Sequence, residues 1–248
     1  MYRHIIADTV GEGIEASMKE LLTYGIAQER ENQDKKEEVW EIQLCLDIMH
    51  PMVEPAISRA IPCTLEQLVQ YDDEFLNGTA DNLGWKYTYH QLYSKYYKQL
   101  IDELNRDFST RRACIALGQG DINFTSDPPC LQLLMFNIVN GELELTCVFR
   151  SNDGVKAFPM NIHAIAMLQL KVATDLEIKV GALHYIANNF HCYHKDRHIL
   201  EGYCKTFEKG SFSRRFYSWA DYEKFAFSRK IFYNIVNGGN YGRETELN

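Results

Sequence analysis

Residues 126–161 read SDPPCLQLLMFNIVNGELELTCVFRSNDGVKAFPMN. Two apolar runs, Leu131–Val139 and Glu142–Phe149, flank Asn140-Gly141. Asn-Gly between such runs is the strongest short hairpin signal, because both residues accept the positive φ that a two-residue turn needs. Cys130 stands before the first run, behind Pro128-Pro129, and Asp127 with these prolines fixes an extended approach to it. The second run ends in Arg150-Ser151-Asn152-Asp153, and eleven residues beyond Arg150 comes Asn161. The hairpin is therefore bracketed by a thiol before it and by a guanidinium and an amide after it.

Outward toward the N-terminus, the spacing of Ile14, Met18, Leu21, Leu22 and Ile26 predicts a helix from about Gly13 to Glu29. The charged segment Glu29–Glu38 reads as a solvated loop. From Val39 to Ile48 the period is two, with Trp40, Ile42, Leu44, Leu46 and Ile48 on one face, so a strand is expected until His50-Pro51 breaks it. Thr64 followed by Glu66 and Gln67 opens a second helix, carrying Leu65, Leu68 and Val69 and closing near Asn77-Gly78. A third is predicted over Tyr87–Leu104 from Leu92, Tyr96, Leu100 and Leu104, and Ala113–Leu117 reads as a short strand. On the other side, Asn161–Ala173 reads as a buried helix with Ile165, Leu168 and Val172, and Val180–Ile186 as a strand. A last helix carries Trp219, Tyr222 and Phe225, ahead of a polar, Gly-rich tail. With no internal repeat or low-complexity linker, residues 1–248 read as one α+β domain.

Hydrophobic content of 46% with 24% charged residues permits a sizeable core. The formal charge of −8 argues against nucleic acid as a partner, although Arg111-Arg112 and Arg214-Arg215 concentrate positive charge where a small anion could be held. Seven scattered cysteines without a CxxC pair suit reduced thiols better than a disulfide framework. The opening MYRHIIADTVGEG lacks a long apolar segment and no stretch approaches a membrane span, so a soluble cytoplasmic protein is expected.

Three groups of residues invite chemistry. A cysteine at the mouth of a strand, near arginines that favour its thiolate, is a competent nucleophile, and Cys130 has that setting; a small buried residue is the plainer alternative. Arg111-Arg112 and Arg150-Ser151 suit phosphate, since guanidinium forks match its oxygens and a hydroxyl adds a contact; surface ion pairs are the plainer alternative. In His191-Cys192-Tyr193-His194, with His198 and Cys204 beyond, helical spacing would bring histidines together, but no recognisable zinc pattern is completed, so a polar site wall is expected and no metal.

The ordered series Ser109-Thr110-Arg111-Arg112, Pro128-Pro129-Cys130, Arg150-Ser151-Asn152-Asp153, Asn161 and His191-x-Tyr193 resembles the thymidylate synthase superfamily, over roughly Trp85 to Asp196. Before that span only the opening SMKELLTYGI is similar. WKYTYHQL and PPCLQ look closest to the shorter, archaeal-type members and the phage-type pyrimidine hydroxymethylases. The resemblance implies a single-domain fold whose mixed β-sheet forms a homodimer interface, with helices on the other face. It implies that Cys130 adds to C6 of a pyrimidine nucleoside monophosphate, so that C5 attacks the one-carbon unit of 5,10-methylenetetrahydrofolate. Arg150 and Ser151 would bind the phosphate, joined by Arg111 and Arg112 of the partner subunit. Asn161 would read the base, matching N3–H and O4 of uracil, where cytosine-specific relatives carry aspartate. His191 and Tyr193 would hold the sugar hydroxyl, Asp153 would face the pterin, and Tyr89 would assist proton transfer from C5. Glu74 is the choice for the catalytic glutamate, with Glu66 in reserve.

Departures from the longer synthases are Leu131 for a histidine, Asn189 for an aspartate, Ala157 for a glycine, and the tail GRETELN for a small apolar C-terminus. Conversion of dUMP to dTMP is the leading expectation. A hydroxymethylase acting on dUMP, dCMP or CMP is the alternative, and a non-catalytic nucleotide- or RNA-binding relative a third.

Overall fold

The computed structural model describes residues 1–32, 35–84, 86–118 and 128–226. Strand β1 (Tyr2–Ala7) leads into helix α1 (Val10–Tyr24), whose N-cap Thr9 accepts from the Glu12 N–H. The helix stops five residues short of the expected Glu29. After Gly25 the chain turns extended, and Ile26 opens β2 (Ile26–Asn32), which pairs antiparallel with β3 (Lys35–Ile48). The charged segment 29–38 is thus not a loop where it is described but the arms of a β-ribbon. Strand pairing satisfies the backbone while side chains such as Glu29 and Lys36 stay in water, so charge is no obstacle to it.

Past β4 (Ile57–Ser58), α2 (Leu65–Asn77) begins and ends as its sequence predicts. Thr64 and Gln67 form a reciprocal capping box, with bonds of 2.9 and 3.2 Å, and Gly78 closes the helix at φ 69°. The helix expected over Tyr87–Leu104 is two, α3 (Tyr89–Tyr93) and α4 (Tyr97–Arg106), joined by a 3-10 turn at Ser94–Tyr96. Two anchors pull on either side of that turn: the Tyr93 hydroxyl donates to the Phe75 carbonyl on α2 at 2.7 Å, and that of Tyr97 to Asp175 at 2.7 Å. Tyr96, between them, is left exposed.

Beyond β5 (Cys114–Ala116), β6 (Leu131–Val139) and β7 (Glu142–Phe149) form the predicted hairpin. Asn140 and Gly141 both take positive φ, 52° and 81°. The two-residue β8 (Asn152–Asp153) precedes α5 (Phe158–Asp175), and β9 (Lys179–Tyr193) runs well past the expected Ile186. Helices α6 (Arg197–Lys209) and α7 (Phe212–Arg215) follow, then β10 (Phe216–Tyr217), which pairs with β4, and α8 (Trp219–Ala226). The Gly-rich tail lies outside the described residues.

The strands form one mixed sheet in the order β1-β3-β9-β7-β6-β5, with β2 and β8 attached to β3 and β9. Pairs β1–β3 and β7–β9 are parallel; β3–β9, β6–β7 and β5–β6 are antiparallel. Alternation sends Leu143, Leu145, Cys147 and Phe149 of β7 inward to full burial beneath α5, each apolar side chain contributing about 2 kcal/mol. Helix α1 covers β3 on the same side, and one apolar cluster runs from Ala7 to Ala226. On the opposite face Tyr2, Ile6 and Ile186 are exposed.

Candidate active site

The open end of the β6–β7 hairpin joins the thiol to the arginine. Leu131 pairs with Phe149, and the Arg150 N–H donates to the Cys130 carbonyl at 2.9 Å. The Arg150 guanidinium then folds back onto the chain that leads to the cysteine, Nη2 to Pro128 O at 2.6 Å and Nε to Pro129 O at 3.2 Å. These prolines thus offer their carbonyls to the cation, a use their ring geometry alone does not reveal. Cys130 is half-buried. Burial raises the pKa of each of the other six thiols, those of Cys63 and Cys204 to about 11 and that of Cys192 to about 12.

Tyr89, at the start of α3, lies by Cys130. Burial raises its pKa well above that of a free phenol, Cys130 adds to the rise, and the Leu131 backbone opposes it. Its hydroxyl stays protonated and can give a proton or a hydrogen bond. Ser151 Oγ lies 3.4 Å from Asn189 Oδ1 and 3.3 Å from His191 Nδ1. Because β9 is a strand, His191 and Tyr193 share a face, their rings 5.1 Å apart, while Cys192 turns into the core. The strand ends at Tyr193, so His191 does not share a helix with His194, which opens a 3-10 turn and lies 3.8 Å from Glu38. Burial lowers the pKa of His191, against the opposing pull of Asp153 and Glu41.

Asn161 sits in the first turn of α5, buried. Its Oδ1 accepts from the Tyr71 hydroxyl at 2.5 Å, and its Nδ2 donates to Asn152 Oδ1 at 3.2 Å. Asn152 Nδ2 in turn donates to the Tyr185 hydroxyl at 2.9 Å. Sequence reasoning missed Tyr71 and Tyr185. The first left a trace, since position 71 adjoins the stripe of Leu65, Leu68 and Phe75 that faces the core. Glu74, one turn on, accepts from Gln70 at 3.0 Å and lines a cavity of about 470 Å³ with Tyr71, Tyr87 and Tyr89, while Glu66 is exposed and outside that lining. The α2 side chain whose hydrogen bond reaches Asn161 is that of Tyr71.

Asp153 Oδ1 accepts from the N–H groups of Val155 and Lys156, both at 2.9 Å, which fixes the carboxylate before α5. Arg111 and Arg112 are not brought to this place. Both are exposed, and the preceding end of β5 bonds Ala113 O to Phe136 N–H, six residues along β6 from Cys130, or about 20 Å at ~3.3 Å per residue. Of the other arginine pair, Arg215 is bound to buried Glu15. Elsewhere, His4, Cys45 and Asp47 hold their ligand atoms within 4.8 Å of one another on the open face of the sheet, but Asp47 already bonds both His4 and His184 at 2.6 Å.

This arrangement has known counterparts. A family model described as thymidylate synthase matches residues 60–210. A protein of Methanocaldococcus jannaschii described as "Putative thymidylate synthase" is 26% identical over 200 residues, 75% of this chain and 88% of that one. One of Methanosarcina barkeri with the same description is 26% identical over 175 residues, 66% and 80% of the two chains. Among solved structures, the thermostable thymidylate synthase A of Bacillus subtilis superposes with a TM-score of 0.60 over 78% of this chain and 83% of that one, at 13% identity, a likeness of fold. The hairpin with its cysteine, arginine and buried asparagine falls inside the matched span, and the chain belongs to the thymidylate synthase family.

Proposed function

We propose that the chain transfers one carbon from 5,10-methylenetetrahydrofolate to C5 of dUMP, giving dTMP through a covalent bond between Cys130 and C6. The observation that carries this reading is the seating of Arg150 on the carbonyls just before Cys130, which sets a phosphate-binding cation beside the one thiol at the hairpin mouth. Thiolate addition at C6 makes C5 an enolate-like nucleophile, and the Cys130 thiol proton leaves in forming it. Tyr89, buried beside Cys130 and kept protonated, would hydrogen-bond the water that accepts the proton later leaving C5. Ser151 joins Arg150 at the phosphate, and His191 and Tyr193 hold the sugar hydroxyl. Asn161 reads uracil with one donor and one acceptor.

The folate, when bound, supplies the carbon and the hydride. Asp153 fits its pterin: only Oδ1 is engaged by the backbone among the described residues, and the fixed carboxylate can accept from a ring N–H. Glu74 lines the same cavity as Tyr89 and is the choice for the catalytic glutamate, Glu66 being exposed. The family acts on pyrimidine nucleotides and is generally dimeric. Here the open sheet face, with Tyr2, Ile6 and Ile186 exposed, would meet a second copy, which brings Arg111 and Arg112 to the phosphate. No described helix is long and apolar enough to cross a membrane. The chain would act as one domain in the cytoplasm.

Incubation with dUMP and methylenetetrahydrofolate tests the reading. Dihydrofolate and dTMP are expected in equal amounts, while hydroxymethyl-dUMP without dihydrofolate would assign the alternative, in which water replaces hydride.

A further inference from the structure

We infer that Tyr71 is a positioning residue that sets base selectivity, by fixing which way round the Asn161 amide faces. The inference rests on the reading of Asn161 as the group that meets the base.

An amide can present its two ends in either order. Uracil offers a donor at N3 and an acceptor at O4; cytosine offers an acceptor at N3 and a donor at its amino group. One amide orientation therefore matches uracil and the flipped one matches cytosine. Asparagine alone does not choose between the bases, and whatever holds its orientation does.

Distances show what holds it here. Tyr71 Oη lies 2.5 Å from Asn161 Oδ1, so the phenol faces the amide oxygen. Burial, then the nearby Asp72 and Glu74 carboxylates, raises the Tyr71 pKa far above its ordinary value, so the phenol keeps the proton that this bond to Oδ1 uses. The next two links, 3.2 Å from Asn161 Nδ2 to Asn152 Oδ1 and 2.9 Å from Asn152 Nδ2 to Tyr185 Oη, both have N–H···O lengths. The chain thus has one direction, from Tyr71 through two amides to Tyr185. Asn152, Asn161 and Tyr185 are buried, so turning the Asn161 amide alone would face its oxygen toward Asn152 Oδ1 with no water to relieve the pair. One N–H and one lone pair of Asn161 remain outside the chain for the base.

The experiment is calorimetric titration of wild type and Tyr71→Phe with dUMP and dCMP, with thermal melting in parallel. Wild type should prefer one base. Tyr71→Phe should move the ratio of the two dissociation constants toward one by roughly tenfold, about the worth of one buried hydrogen bond. That result supports the inference whichever base the wild type prefers, so a wild type that favours dCMP would overturn the dUMP reading alone. Equal weakening of both nucleotides, with the ratio unchanged, would mean a merely structural hydroxyl and overturns the inference while leaving the dUMP reading intact. Wild-type binding of neither nucleotide overturns both. Should Tyr71→Phe fail to melt cooperatively, Tyr185→Phe, which removes the acceptor at the far end of the same chain, is titrated in its place and the same change in ratio is required.

Discussion

At the scale of single residues, the site separates groups that must react from groups that must stay as they are. Cys130 stands half-buried at a hairpin mouth, its carbonyl held by the Arg150 N–H, and burial raises the pKa of the Cys147 and Cys192 thiols in the core. Cys130→Ser should lose at least about 10³-fold in turnover, since a hydroxyl lacks the thiolate's nucleophilicity. It should also fail to form the covalent adduct that wild type makes with 5-fluoro-dUMP and the folate, as read by mass spectrometry. His191 gives a prediction in pH. Its folded pKa lies below the ordinary 6.5 because burial disfavours the imidazolium. Below about pH 6.5 the unfolded chain takes up a proton that the folded chain refuses, so this stability is complete above that pH and falls as pH drops. The slope is at most about 1.4 kcal/mol per pH unit between 6.5 and the lowered folded value. Urea midpoints measured through this window should fall with pH in wild type and fall less in His191→Asn.

At the scale of elements, two glycines with the same backbone conformation should respond differently to alanine. Gly141 has φ 81° and nothing within 4 Å of a built Cβ, so Gly141→Ala carries the backbone term alone, about 1 kcal/mol. Gly78 has φ 69°, but there a Cβ would sit 2.3 Å from His90 Nδ1 and 2.6 Å from Asp81 Oδ2. Gly78→Ala should cost about 2 kcal/mol or more, because the His90–Asp81 pair that seats α3 must also shift. Denaturant midpoints compare the two; equal losses would show that the pair yields freely. The contrast also marks what was legible in the sequence. Asn140-Gly141 and the Thr64–Gln67 box act through near neighbours, and both stand where their residues predicted. The segment 29–38 departs from the loop reading because its two arms pair with each other, Glu29 opposite Glu38 and Asn32 opposite Lys35, a backbone register that a charge-rich composition does not display. The site divides the same way. Cys130, Arg150 and Ser151 are close in sequence or across one hairpin, whereas the bond from Tyr71 to Asn161 spans 90 residues and left only a helical stripe as its trace.

At the scale of the whole molecule, one chain does not bring all of its cations to one place. Arg150 lies at the mouth of the hairpin, while Arg111 and Arg112 are exposed beyond the far end of β5. On the proposed reading the phosphate site would be assembled across a two-fold axis, with the open sheet faces in contact, and Arg111 and Arg112 of each protomer would serve the cysteine of the other. A mixing experiment tests this directly. Arg111→Ala/Arg112→Ala subunits and Cys130→Ser subunits should each form nearly inactive homodimers. In a heterodimer one site collects both defects and the other collects neither. Random exchange at equal concentrations makes half of the dimers mixed, each with one intact site of two, so activity should recover to about a quarter of wild type. If all four groups instead belonged to one chain, no combination would rebuild a complete site and the mixture would stay as inactive as its parts. Light scattering on the same samples checks that the species are dimers, because a monomer could show no recovery whatever its site contained.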